Sequence, residues 1–158
     1  MTGDARKLEG IGGWLILVAI GLCVQPLLLL KALATDAAIF KPDTWRVLTT
    51  PGGPAYHPLW APLLLGEAGV NLVLLVWSGA LLYFFFVRKR GFPRMVIAFM
   101  GVSLAAVLAD LVVARAIPSV QTRLTANDYG QVGRSAISAA LWIPYFLRSR
   151  RVAATFVH

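Results

Sequence analysis

Five polar residues stand inside long apolar runs of the chain: Gln25, Glu67, Asn71, Asp110 and Arg134. Charged side chains are costly at membrane depth, so such positions are the first candidates for ion pathways, proton relays or ligand contacts. Glu67 and Asn71 are four residues apart and share one face of a helix. Heights can be counted along helices from the nearest basic or glycine boundary. Asp110 then lies roughly 24 Å beyond Arg94, Arg134 roughly 21 Å before Arg148, and Asn71 about 25 Å before Arg88. Glu67 is one turn further on, and Gln25 lies about 20 Å beyond Gly12. The five are therefore expected in one polar layer in the outer part of a bilayer. Two readings of that layer are open. In the structural one, Arg134 pairs with Asp110, or failing that Glu67, and the amides satisfy backbone freed near Pro26. In the functional one, the layer forms a small site open to the outside, for a lipid headgroup, an ion or a small solute.

Nothing else in the chain has the spacing of a catalytic or cofactor site. Gly10, Gly12 and Gly13 do not follow a strand, so they do not make a phosphate loop. His57 falls in a loop and His158 ends the chain, and neither is spaced to pair as a metal ligand. A haem held between helices needs a histidine within a span, and there is none. No catalytic residue, metal or cofactor is assigned, and no enzymatic activity is expected.

The elements that must position these residues are long apolar helices. The first run extends from Ile11 to Leu30, interrupted only by Gln25 and Pro26, and Lys31 ends it. Arg6 and Lys7 before it and Ala32-Leu33-Ala34 after it have the look of a signal peptide. The hydrophobic part of a signal is only about 7–15 residues, however, and the longer run favours an uncleaved helix. The second run extends from Leu59 to Val87, with Pro62 at an early helical position, and stops at Arg88-Lys89-Arg90-Gly91. The third runs from Met95 to Ala114. Its Gly101, Ala105 and Ala109 form a small-residue stripe suited to close helix packing. The fourth, Gln131 to Leu147, is the weakest, and an interfacial helix is the alternative for it. Pro144 near its end is tolerable where neighbouring helices accommodate a kink.

Between the first two runs, Asp43 is placed to cap a short helix through Leu48. Trp45 suggests that this segment lies at the membrane interface. The expected fold is all-α: a single membrane domain over 1–158, a bundle of four transmembrane helices near 12–33, 60–88, 93–115 and 130–148. Its outer loops are 34–59 and 116–129.

Composition agrees. Of the 158 residues 58% are hydrophobic and 14% charged, against about 45–50% and about 25% in soluble domains. So little polar surface cannot cover a globule in water. The formal charge of +8 comes from short basic loops rather than a basic stripe with interleaved aromatics, which excludes nucleic acid as the expected partner. The single cysteine, Cys23, can form no intrachain disulfide. Nine basic residues (Arg6, Lys7, Arg88, Lys89, Arg90, Arg94, Arg148, Arg150 and Arg151) fall on one side of the expected bundle. Five (Lys31, Lys41, Arg46, Arg115 and Arg123) fall on the other. Cytoplasmic loops are the richer in Lys and Arg, so both termini are expected in the cytoplasm.

The two ends of the chain carry motifs. Gly10-Ile11-Gly12-Gly13-Trp14-Leu15 opens the first helix. Trp142-Ile143-Pro144-Tyr145-Phe146 closes the last, followed by Ser149, Arg151-Val152 and Thr155-Phe156. Together with Glu67, Asn71 and Phe92-Pro93, these resemble the bacterial family known as domain of unknown function 2569. The resemblance covers nearly the whole chain. It implies a small four-helix inner-membrane protein and brings no activity. Gly12, Gly13, Trp14, Ser149, Arg151 and Thr155 are then expected to meet at the cytoplasmic face. They would form either a packing seam with lipid-phosphate contacts from the arginines or a docking site for another protein. The expected role is a non-enzymatic accessory subunit or a lipid-contacting scaffold. Its partners would be membrane lipids and a larger membrane complex or further copies of the chain. The alternative is a small oligomeric transporter or channel using the outer polar layer.

Overall fold

The computed structural model describes residues 12–121 and 125–157, and every regular element among them is a helix. Arg6, Lys7, Gly10 and Ile11 of the amino-terminal motif region, Arg123 and His158 lie outside the described residues. Helix α1, Trp14–Ala37, is followed by the short α2, Pro42–Thr49, and then by α3, Trp60–Phe86, and α4, Phe92–Arg115. The one-turn α5, Pro118–Gln121, leads to α6, Ala126–Arg148, and the chain closes with α7, Arg150–Thr155. The long helices pack in chain order: α1 on α3, α3 on α4, and α4 on α6.

Element ends show where local chemistry overrides hydropathy. Helix α1 runs four residues past the expected end at 33, to Ala37. Lysine, alanine and leucine are good helix formers, so one charge at Lys31 does not stop the backbone. The Thr35 hydroxyl turns back to donate to the Lys31 carbonyl at 3.0 Å. In α2 the capping position belongs to Lys41, not to Asp43. Pro42 takes the first helical position, for which its fixed φ is suited, so Asp43 sits in the first turn. There its charge favours the positive end of the helix. Helix α6 begins at Ala126, four residues earlier than expected. Ahead of it the Thr125 backbone N–H and hydroxyl donate to Asp128 Oδ2 at 2.7 and 2.8 Å. This is a capping box in which aspartate takes the acidic position.

The α3–α4 connection is a tight C-terminal motif. Arg88 N–H donates to the Phe85 carbonyl and Lys89 N–H to the Phe84 carbonyl, with Arg88 left-handed at φ 57°. Glycine usually fills that position.

The buried cluster is centred where α1, α3, α4, α6 and α7 meet. Leu15, Leu81, Phe85 and Phe92 are fully buried there, with Phe146, Val152 and Phe156 around them. Helix α4 contributes Phe92, Val96 and Phe99 to this cluster. That orientation turns Gly101, Ala105 and Ala109 outward: all three are exposed, and nothing lies within 4 Å of a Cβ built on Gly101. Among the described residues the small-residue stripe is therefore left on the surface, because the bulkier aromatic face of α4 takes the interior.

Three helices, α1, α3 and α4, are long and apolar enough to cross a membrane. Helix α6 is of similar length, but Asp128, Gln131 and Arg134 make its first three turns too polar to join them. In the most apolar windows of α1, α3 and α4 only 22%, 22% and 11% of residues are buried within the protein. Most of their apolar surface faces outward and requires an apolar surrounding.

Candidate functional site

At the end of the bundle where both described termini lie, α7 folds back beneath the long helices. Ser149 breaks the helix in an extended conformation, and its hydroxyl accepts from Val152 N–H at 3.4 Å. Six helical residues are too few to be stable alone, and packing supplies the difference. Val152, Thr155 and Phe156 are buried. Phe156 stacks on Phe92 with ring centroids 4.5 Å apart and lies 5.7 Å from Phe85. Phe92 also meets Phe85 at 5.2 Å and Phe146 at 5.8 Å. Beyond α7, Arg90 Nε donates to the Val157 carbonyl at 2.6 Å, tying the tail to the α3–α4 turn.

The same fold brings the two terminal motifs together. The Arg151 guanidinium lies across Gly12 and Gly13, and a Cβ at Gly12 would stand 2.6 Å from Arg151 Nη1. Gly13 is left-handed, at φ 56°. Trp14 meets Trp142 edge to face at 6.2 Å, joining α1 to α6. Gly12 and Gly13 thus meet Arg151 in one seam beside Trp14, while Ser149 caps α7 and Thr155 is buried in it. Among the described residues the chemistry of the seam is positive charge on an aromatic base. Arg88, Lys89, Arg90, Arg94, Arg148, Arg150 and Arg151 all fall at this basic end. The described carboxylates, Asp36, Asp43, Glu67, Asp110 and Asp128, all fall toward the other.

At that acidic end, Asn71 Nδ2 donates to Asp36 Oδ2 at 3.3 Å, linking α3 to the end of α1. The carboxylates of Glu67 and Asp110 are within Coulombic reach of each other and of Asp36, and Asp110 also of Asp128. Asp36 is the member that hydropathy missed, because the first helix was expected to end before it. The Asn71–Asp36 bond also corrects the position of Gln25. Eleven residues separate Gln25 from Asp36, so Gln25 lies roughly 16 Å nearer the basic end and outside the layer. Heights counted from chain boundaries assume that helices begin level, and α1 and α3 do not. Glu67, Asp110 and Arg134 are exposed and Asn71 is half-buried, so the layer lies at the rim of the chain rather than in its core. Arg134 reaches back over Gly130, where a Cβ would stand 3.3 Å from Nη1. Among the described residues no group of histidine, cysteine, aspartate and glutamate is placed to hold a metal.

Apolar helices that leave most of their surface outside, closed at one end by an aromatic and basic seam, define an all-α membrane protein. The family model described as protein of unknown function, DUF2569, matches residues 8–157, and the chain belongs to that family. No curated protein and no solved structure matches the chain.

Proposed function

We propose that this protein is a non-enzymatic accessory subunit or lipid-contacting scaffold of the bacterial inner membrane, crossing it four times with both termini in the cytoplasm. The observation that carries the reading is the solid packing of the basic end. Leu15, Leu81, Phe85 and Phe92 have no exposed surface, so the described helices of one copy close on apolar side chains at that level. Transport would need a route between copies, which is the alternative reading. Helix α6 supports a fourth crossing through its length, roughly 35 Å, and its packing along α4. The orientation rests on the concentration of cations at one end. The rim of acidic residues is read as structural, with Arg134 offsetting its charge. Mass measurement after purification in a mild detergent tests the role. A stoichiometric complex with a different membrane protein, or a lipid-bearing single chain, is expected. A ring of identical chains around a polar path would transfer the reading to transport.

A further inference from the structure

We infer that the groove between α3 and α4 seats an acyl chain of an anionic phospholipid whose phosphate rests on the basic turn beneath it. The inference deepens the lipid-contacting reading by naming the lipid class and its place. The groove has a volume of about 590 Å³ and is lined by Leu72, Val73, Val76, Trp77 and Ala80 of α3 and Met95 of α4. From Leu72 to Ala80 it runs roughly 12 Å along the helix. Its wall is braced, since Trp77 packs edge to face on Phe99 at 5.8 Å.

Charge decides the occupant. Met95 stands in the first turn of α4, directly after Arg94, and the turn before it carries Arg88, Lys89 and Arg90. Arg90 is engaged with the Val157 carbonyl, whereas Arg88 and Arg94 are exposed. No carboxylate of the described residues lies at this end to compete for them. A shallow apolar groove on two helices whose connecting turn carries exposed arginines matches a molecule with one apolar chain and one phosphate. A partner helix fits less well. Two turns of groove are short for a helix interface, and its lining carries a single small residue, Ala80, while the stripe of Gly101, Ala105 and Ala109 lies elsewhere on α4.

Juxtamembrane cations near an anionic surface each strengthen binding about fivefold. The test is native mass spectrometry of the full chain in detergent, titrated with phosphatidylglycerol or with phosphatidylcholine of the same acyl chains. Wild-type protein is expected to retain phosphatidylglycerol at least tenfold more tightly. The double variant Arg88→Gln with Arg94→Gln should lose that preference. Ala80→Phe, which fills an outward-facing groove and leaves the charges alone, should weaken retention of both lipids. Arg148→Gln with Arg150→Gln, at the carboxyl-terminal end, should leave the preference intact. Equal retention of the two lipids by wild type would overturn the inference. So would a preference that survives in the Arg88 and Arg94 variant, a groove variant that binds as wild type does, or a loss confined to the Arg148 and Arg150 variant. The accessory-subunit reading is judged separately, by the mass of the purified assembly, which does not depend on lipid class.

Discussion

Gly12 and Gly13 do different work although they are neighbours. Gly12 makes room for a guanidinium, while Gly13 turns the chain into α1 through a left-handed conformation. With ψ at −129° this lies outside the left-handed helical well, and an L side chain held in so sparsely populated a conformation costs on the order of 1–3 kcal/mol. Gly13→Ala is therefore expected to lower stability by about that much, read as a fall in the thermal midpoint in detergent. Gly12→Ala should cost less, because only the far end of Arg151 has to swing away. If Gly12→Ala is the more harmful, the guanidinium is held more firmly than its geometry implies. The need for close approach at these glycines is legible in their type. The identity of the group that approaches is not, because Arg151 lies more than a hundred residues along the chain. Asn71 and Asp36 repeat the lesson: an asparagine in an apolar run announces a polar contact, and only the register of two helices names the partner.

The carboxyl-terminal element, α7 with Phe156, is too short to be stable by itself, and packing joins its cap and the Arg90 hydrogen bond in holding it. Phe156 touches Phe92 and Phe85, which belong to different helices, so it joins the tail to both sides of the α3–α4 turn. Removing a buried phenylalanine side chain costs about 3–5 kcal/mol. Phe156→Ala should fall at the lower end of that range, since a terminal segment can relax around the gap, and Phe156→Leu should recover most of the loss. Chemical denaturation in mixed micelles would report both. A Phe156→Ala variant as stable as wild type would mean that the tail is a passive appendage. The long helices were readable from hydropathy to within about four residues at each end, because twenty apolar residues in succession have few other solutions. Their caps were less readable. Lys31 looked like a stop and was not, and Thr125 with Asp128 formed a box outside the apolar run.

For the molecule as a whole, the sharpest expectation concerns sidedness. On a Cys23→Ser background, single cysteines at positions 41 and 123 should react with an impermeant thiol reagent added outside intact cells. Cysteines at 90 and 150 should not. The opposite pattern would invert the bundle, and reaction at 150 as well as at 41 and 123 would remove the fourth crossing. The charge distribution underlies the expectation: among the described residues cations crowd the end where Gly12 and Val157 lie, and carboxylates fall toward the other end. Such asymmetry sets orientation during insertion.

Composition and run length by themselves determined that this protein is helical, that it needs an apolar surrounding, and that its basic loops share one side. These properties add up along the chain, residue by residue, and do not depend on which helix neighbours which. Tertiary structure alone decided which faces turn inward. Helix α4 could have buried either its small-residue stripe or its aromatic one. The aromatic one won because Phe92 closes on Phe85, Phe146 and Phe156, contributed by three other segments, and Phe99 on Trp77. The level of each polar residue was decided in the same way, by the offset between α1 and α3. That offset comes from side-chain packing between distant segments, and no count along one helix contains it.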